Sequence, residues 1–125
     1  MKNNLQLSLK KQWFEMTKSG IKTEDYREIT PYWIKRLVDK DVFRYCTTES
    51  FLQWYNNMPE FVTLQHVVNK PIINIMTLGY PKKDDAERIL KLEHKGIEIR
   101  TGNQEWGAEP NKLYFVIKHG AIIVK

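Results

Sequence analysis

Cys46 is the only thiol in 125 residues, so no intramolecular disulfide can form and a reducing compartment is expected. The three histidines, His66, His94 and His119, are scattered, and with one cysteine they provide no zinc-type ligand spacing. No structural metal is expected, and nothing in the chain calls for a cofactor. A run of about 18 consecutive apolar residues, the minimum for a membrane-spanning helix, is missing. The opening Met1-to-Leu9 stretch also lacks the apolar core of a signal peptide, so a soluble, cytoplasmic protein is expected. Internal repeats and low-complexity tracts are absent as well, which excludes solenoid and fibrous architectures.

What is present suits one globular domain over 1–125: 42% of the residues are apolar or aromatic, enough for a core. Twenty Lys and Arg against fifteen Asp and Glu give a net charge of +5. That excess favours polyanionic partners but falls far short of a nucleic-acid packaging protein.

Leu5, Leu7 and Leu9 alternate with polar residues as in a half-buried strand, and Lys10 to Ser19 then take helical spacing up to a stop at Gly20. Thr23 to Glu28 alternate again, with Asp25 and Arg27 on one face and Glu24, Tyr26 and Glu28 on the other. Thr30-Pro31 is an N-cap and first-turn pair for a helix burying Trp33, Ile34, Leu37 and Val38. Residues 39–71 mix charges, aromatics and prolines, with one clear helix that Thr48 caps and Pro59 stops; this stretch reads as a helical insertion. Ile72 to Leu78 and Ile89 to Ile99 read as strands around a Gly79-Tyr80-Pro81 turn, and the phase change at Lys95-Gly96 suggests a bulge. Thr101 to Lys112 form a loop carrying Trp106, before a last, mostly buried strand from Leu113 to Val124. The expected class is α+β, a small mixed or antiparallel sheet closing on itself with helices at its ends.

The most informative segment is Gly20-Ile21-Lys22-Thr23-Glu24-Asp25-Tyr26-Arg27. A glycine ending the helix lets the chain turn, so that a lysine, a carboxylate and an arginine project from one end of the sheet. Lys22 offers a phosphate a point charge, Arg27 offers a planar fork, and Asp25 can orient the guanidinium or accept a proton. Lys10 and Lys11 extend a basic rim, and Tyr26, Tyr80 and Trp106 can stack on bases. If the cluster is catalytic, Lys22, Asp25 and Glu93 are the candidate acid, base or electrophile residues.

Strand, amphipathic helix and then Gly20, Lys22, Asp25 and Arg27 resemble the Gly-x-Lys-x-x-Glu-x-Arg signature of the ASCH domain, a member of the PUA-like superfamily, with aspartate in place of glutamate. Tyr26-Arg27-Glu28-Ile29 with Pro31-Tyr32-Trp33 is similar to the stretch after the motif in a compact bacterial and phage subgroup. So are Gly79-Tyr80, Leu92 to Ile97, Glu105 to Glu109 and the strand from Tyr114 to Ile123. The likeness spans most of 5–38 and 74–124 and finds no counterpart for 39–71. It implies a small PUA-like β-barrel of about five to six strands with flanking helices and a helical insertion. PUA-like domains include RNA-modification modules, readers of modified bases, and members credited with ribonuclease activity or hydrolysis of an acetylated cytidine. The resemblance therefore implies an RNA- or nucleotide-binding module recognising a nucleic-acid segment or modified nucleotide. The alternatives are a small hydrolase acting on RNA or an acylated nucleobase, and a protein-interaction module using 39–71. In the amidohydrolase branch the position of Asp25 is a threonine, and an aspartate cannot supply that hydroxyl.

Overall fold

The alternating leucines form the first strand, β1 (Asn4–Leu9), in which Leu5, Leu7 and Leu9 point inward. The fold is that of a computed structural model, which describes residues 4–39, 47–57, 64 and 67–123. Helix α1 (Lys11–Lys18) follows and buries Phe14 and Thr17. Its end is set by Gly20 at φ +87°, a left-handed conformation that costs a residue with a Cβ about 1 kcal/mol or more. There the Gly20 N–H donates to Thr17 O at 3.2 Å, and the Lys22 N–H donates to Met16 O at 3.0 Å. The helix terminus thereby fixes the backbone of the motif lysine.

Strand β2 (Glu24–Glu28) leads to α2 (Pro31–Leu37), where the Thr30 side chain accepts from the Trp33 N–H and Pro31 occupies the first turn. Helix α3 (Thr48–Asn56) lies in the 39–71 stretch. Its cap is Thr47, one residue earlier than the spacing predicts: Thr47 and Ser50 form a reciprocal capping box, while Thr48 Oγ1 donates to Ile29 O at 2.8 Å. Pro59, the expected stop, falls outside the described residues. The remaining strands are β3 (Ile73–Leu78), β4 (Ile89–Thr101) and β5 (Leu113–Ile122), with a short 3₁₀ turn at Gln104–Trp106. Along β4 the buried positions run Leu90, Leu92 and then Ile97, so the phase switches where Gly96 takes φ +120°.

The strands make one five-stranded sheet in the order β1-β3-β4-β5-β2. Pairing of β1 with β3 is parallel, with Leu5 opposite Asn74 and Leu9 opposite Leu78; β3 and β4 are antiparallel, with Asn74 opposite Leu92. The class is therefore α+β with a mixed sheet. No helix among the described residues is long and apolar enough to cross a membrane.

The chain divides into two compact units, Met1–Asp25 with Lys70–Gly96 and Ile117–Lys125, and Tyr26–Asn69 with Ile97–Val116. The first unit buries Leu7, Phe14, Met76, Leu92 and Ile117. In the second, Ile34, Leu37, Phe51, Phe115 and Val116 are covered, and Phe51 lies 5.6 Å from Phe115 between ring centroids.

Candidate functional site

Lys22 sits in the turn before β2, which frees it from strand alternation, and its side chain folds onto the strand start. Its ammonium donates to Glu24 O at 2.6 Å and to Asp25 Oδ1 at 3.3 Å. Both partners are almost completely covered, with side chains 2% and 6% exposed. A charge this far from water is tolerable only when paired and hydrogen-bonded, and even then the desolvation cost offsets much of the attraction. The motif's lysine and acid thus form an internal pair. Arg27, two residues on, lies with its guanidinium carbon 5.0 Å from the Trp33 ring centroid. The Tyr26 hydroxyl accepts from the Asn103 N–H at 2.8 Å, and its ring lies 5.7 Å from that of Tyr114.

A second polar group, also in the first unit, is built on Asn74, which is 0% exposed between Ile73 and Ile75 near the start of β3. Asn74 faces Leu92 across the sheet, so His94, two residues further on β4, shares its face. Three hydrogen bonds determine the proton positions. The Asn74 Nδ2 donates to Lys118 O at 3.3 Å, which orients the amide, because the oxygen could not face a carbonyl. Its second hydrogen then points to His119 Nδ1 at 2.8 Å, so neutral His119 carries its proton on Nε2. The Asn74 Oδ1, 2.8 Å from His94 Nδ1, accepts from it, so neutral His94 presents a bare lone pair at Nε2. One amide therefore sets two imidazoles in opposite tautomers.

Both Nε2 atoms are shielded from solvent without a hydrogen-bond partner among the described residues. One is a donor and the other an acceptor. Burial pushes the His119 imidazole down from 6.5 to about 4; the nearby Asp25 carboxylate opposes this, and the Lys22 ammonium and His94 add to it. His94 is lowered by the same desolvation. Both rings are neutral at pH 7, and the charges acting on His119 tie it to the Lys22–Asp25 pair. The backbone makes the same link, since the His119 N–H donates to Thr23 O at 3.0 Å, between the two motif residues.

The other expected site residues lie elsewhere. Lys10 and Lys11 are exposed where β1 meets α1, and Tyr80 is 95% exposed after β3. These two chain segments meet, because the Gly79 N–H donates to Leu9 O at 3.3 Å. Five steps along the chain, from Asn74 to Gly79, separate this rim from the amide, roughly 16 Å at the usual rise. Glu93 alternates with His94 and so faces the other side of β4, where its Oε1 accepts from the Ala121 N–H and lies 3.7 Å from the Lys95 ammonium. Trp106, in the second unit, is half-buried in its 3₁₀ turn ahead of Gly107 at φ +99°.

Asn74, His94 and His119 escaped the sequence reading. A polar amide amid Ile72 to Leu78 and a histidine in the buried final strand were the available signals, but their separation of 20 and 45 residues hides the contact. No group of three or more His, Cys, Asp or Glu among the described residues could hold a metal ion. No family model, no curated protein and no solved structure matches the chain.

Proposed function

We propose that the chain is a PUA-like domain of the ASCH type that binds a nucleotide, free or within an RNA segment, at the Lys22–Asp25 and Asn74–His94–His119 cluster. The observation that carries this reading is the pair of shielded Nε2 atoms of opposite hydrogen-bonding sense. Leaving a buried donor or acceptor unmade costs about 1–3 kcal/mol each, and a ligand supplying the complementary groups recovers that cost. The Watson–Crick edges of adenine and cytosine present such a set, a ring-nitrogen acceptor beside an exocyclic amine donor. His119 would donate to the ring nitrogen and His94 would accept from the amine. Because Lys22 and Asp25 are covered, access requires side chains around them to move.

Binding is favoured over hydrolysis for a specific reason. Lys22 and Asp25 are occupied with each other, and Glu93, the third catalytic candidate, is engaged with Lys95 and the Ala121 amide on the opposite strand face.

The test is a titration of the four ribonucleoside monophosphates followed through the imidazole nitrogen resonances. Saturable shifts of His94 and His119 with an adenine or cytosine nucleotide, reduced in His94→Ala, support the reading. Unchanged imidazole resonances with all four nucleotides at millimolar concentration overturn it.

A further inference from the structure

The Asn74 amide also decides where the cluster can take up a proton. Neutral His94 already donates from Nδ1 to Asn74 Oδ1 at 2.8 Å and keeps its lone pair on Nε2, which has no hydrogen-bond partner among the described residues. A proton can settle on that Nε2 with the Asn74 hydrogen bonds intact. His119 is in the reverse position: its Nε2 bears the hydrogen, so its lone pair is on Nδ1, at which Asn74 Nδ2 points a hydrogen from 2.8 Å. A proton added to Nδ1 would face that donor, and relief requires the amide to turn over. The turned amide would bring Oδ1 to the place now 3.3 Å from the Lys118 carbonyl oxygen and set Nδ2 against the His94 Nδ1–H. The charged groups around the pair act mainly on His119. Lys22, Asp25 and Glu24 reach it from β2 and the turn before it, β1 places the apolar Leu5 opposite Asn74, and Glu93 and Lys95 pair with each other on the other face of β4.

We propose that one amide oxygen serving two imidazoles makes the cluster a one-proton switch: His94 Nε2 takes the proton, His119 stays neutral while His94 is charged, and the two Nε2 atoms change from an acceptor and a donor to two donors. The reason is exclusion. Each imidazolium needs an acceptor at Nδ1, and Asn74 has a single Oδ1. Repulsion acts in the same direction, since His94 itself lowers His119. Burial agrees with the order: His119 is 8% exposed and is pulled down to about 4 mainly by desolvation, whereas His94 is half-buried. The switch changes what the site can hold, because a charged His94 no longer accepts from an amine. Mild acid thus releases a ligand that presents an amine beside a ring nitrogen. That consequence rests on the binding role proposed above; the order of protonation does not.

The experiment is a pH titration of the ligand-free chain from about 7.5 downward, followed through the imidazole nitrogen resonances so that each ring nitrogen is read separately. The expected result is a bare His94 Nε2 and a protonated His119 Nε2 near neutrality, then protonation of His94 Nε2 while His119 Nδ1 stays bare through the whole His94 transition. His94→Gln gives a second reading. A glutamine amide can donate or accept, so Asn74 is free to turn over, and the His119 midpoint should rise by about one unit or more, a tenfold change in proton affinity. If that variant does not fold, the wild-type titration decides alone. With adenosine monophosphate, affinity should fall about tenfold across the His94 transition, as expected for one lost hydrogen bond. Absence of nucleotide binding near neutrality counts against the binding role and leaves the order of protonation standing. Protonation of His119 before or together with His94, an unchanged His119 midpoint in a folded His94→Gln, loss of the folded spectrum before His94 changes, or bound nucleotide whose affinity ignores the His94 transition overturns the proposal.

Discussion

Protonation of His119 should couple stability to pH in a defined window. In the folded chain its pKa is about 4, against 6.5 without the protein environment. Between those values the unfolded chain binds a proton that the folded chain refuses, so unfolding is favoured as pH falls. The contribution is complete above pH 6.5 and is lost progressively down to pH 4, below which both states are protonated. A difference of roughly 2.5 units at 1.36 kcal/mol per unit gives about 3 kcal/mol. His94, lowered by burial as well, adds to the loss in the same direction. Carboxylates titrate in part of this range, so the useful comparison is with His119→Asn. In that variant an amide oxygen can still accept from Asn74 Nδ2, but nothing at position 119 titrates. Urea denaturation from pH 4 to 7.5 should show the variant less stable than wild type near neutrality, through lost packing. Its deficit should then shrink by about 3 kcal/mol as the pH approaches 4. Direct titration of the imidazole Cε1–H resonance gives the same quantity independently. A His119 midpoint near 6.5, or a deficit that stays constant with pH, would refute the argument from desolvation.

Two further outcomes follow from packing. Lys22→Met should cost about 3–5 kcal/mol, because it strands the buried Asp25 carboxylate, whereas Lys22→Met combined with Asp25→Leu should regain most of that loss. A double variant whose loss equals the sum of the two singles in urea denaturation would show that the pair is not coupled. Gly102→Ala would place a Cβ 2.8 Å from both the Tyr26 ring and the Ala108 Cβ. Overpacking there should lower stability by about 1–3 kcal/mol, visible as a reduced melting temperature, and Tyr26→Leu in the same background should relieve part of it.

Much of the element order can be read along the chain because it rests on short-range physics. The Leu5, Leu7, Leu9 alternation, the Thr30-Pro31 start and the Gly20 stop each depend on residues within a few positions, and each appears as expected. The cap of α3 shows the limit of such reading. Thr47 and Thr48 are equivalent by composition, and the choice falls to Thr47 because Ser50 completes a box with it while Thr48 reaches Ile29. The site was legible only in part. Lys22 and Asp25 stand out by spacing, but their burial as a pair, and the stacking of Arg27 on Trp33, depend on what packs over them.

By itself, then, the sequence determined the strands and helices, the turn that delivers Lys22, and the excess of positive charge, since these follow from local periodicity, caps and composition. Only the tertiary structure decided that Asn74 would hold His94 and His119 in opposite tautomers beside that turn. The reason is sheet order: β3, β4 and β5 are neighbours. A lone amide or a lone imidazole in an apolar strand has no readable role until lateral pairing brings its partners from 20 and 45 residues away.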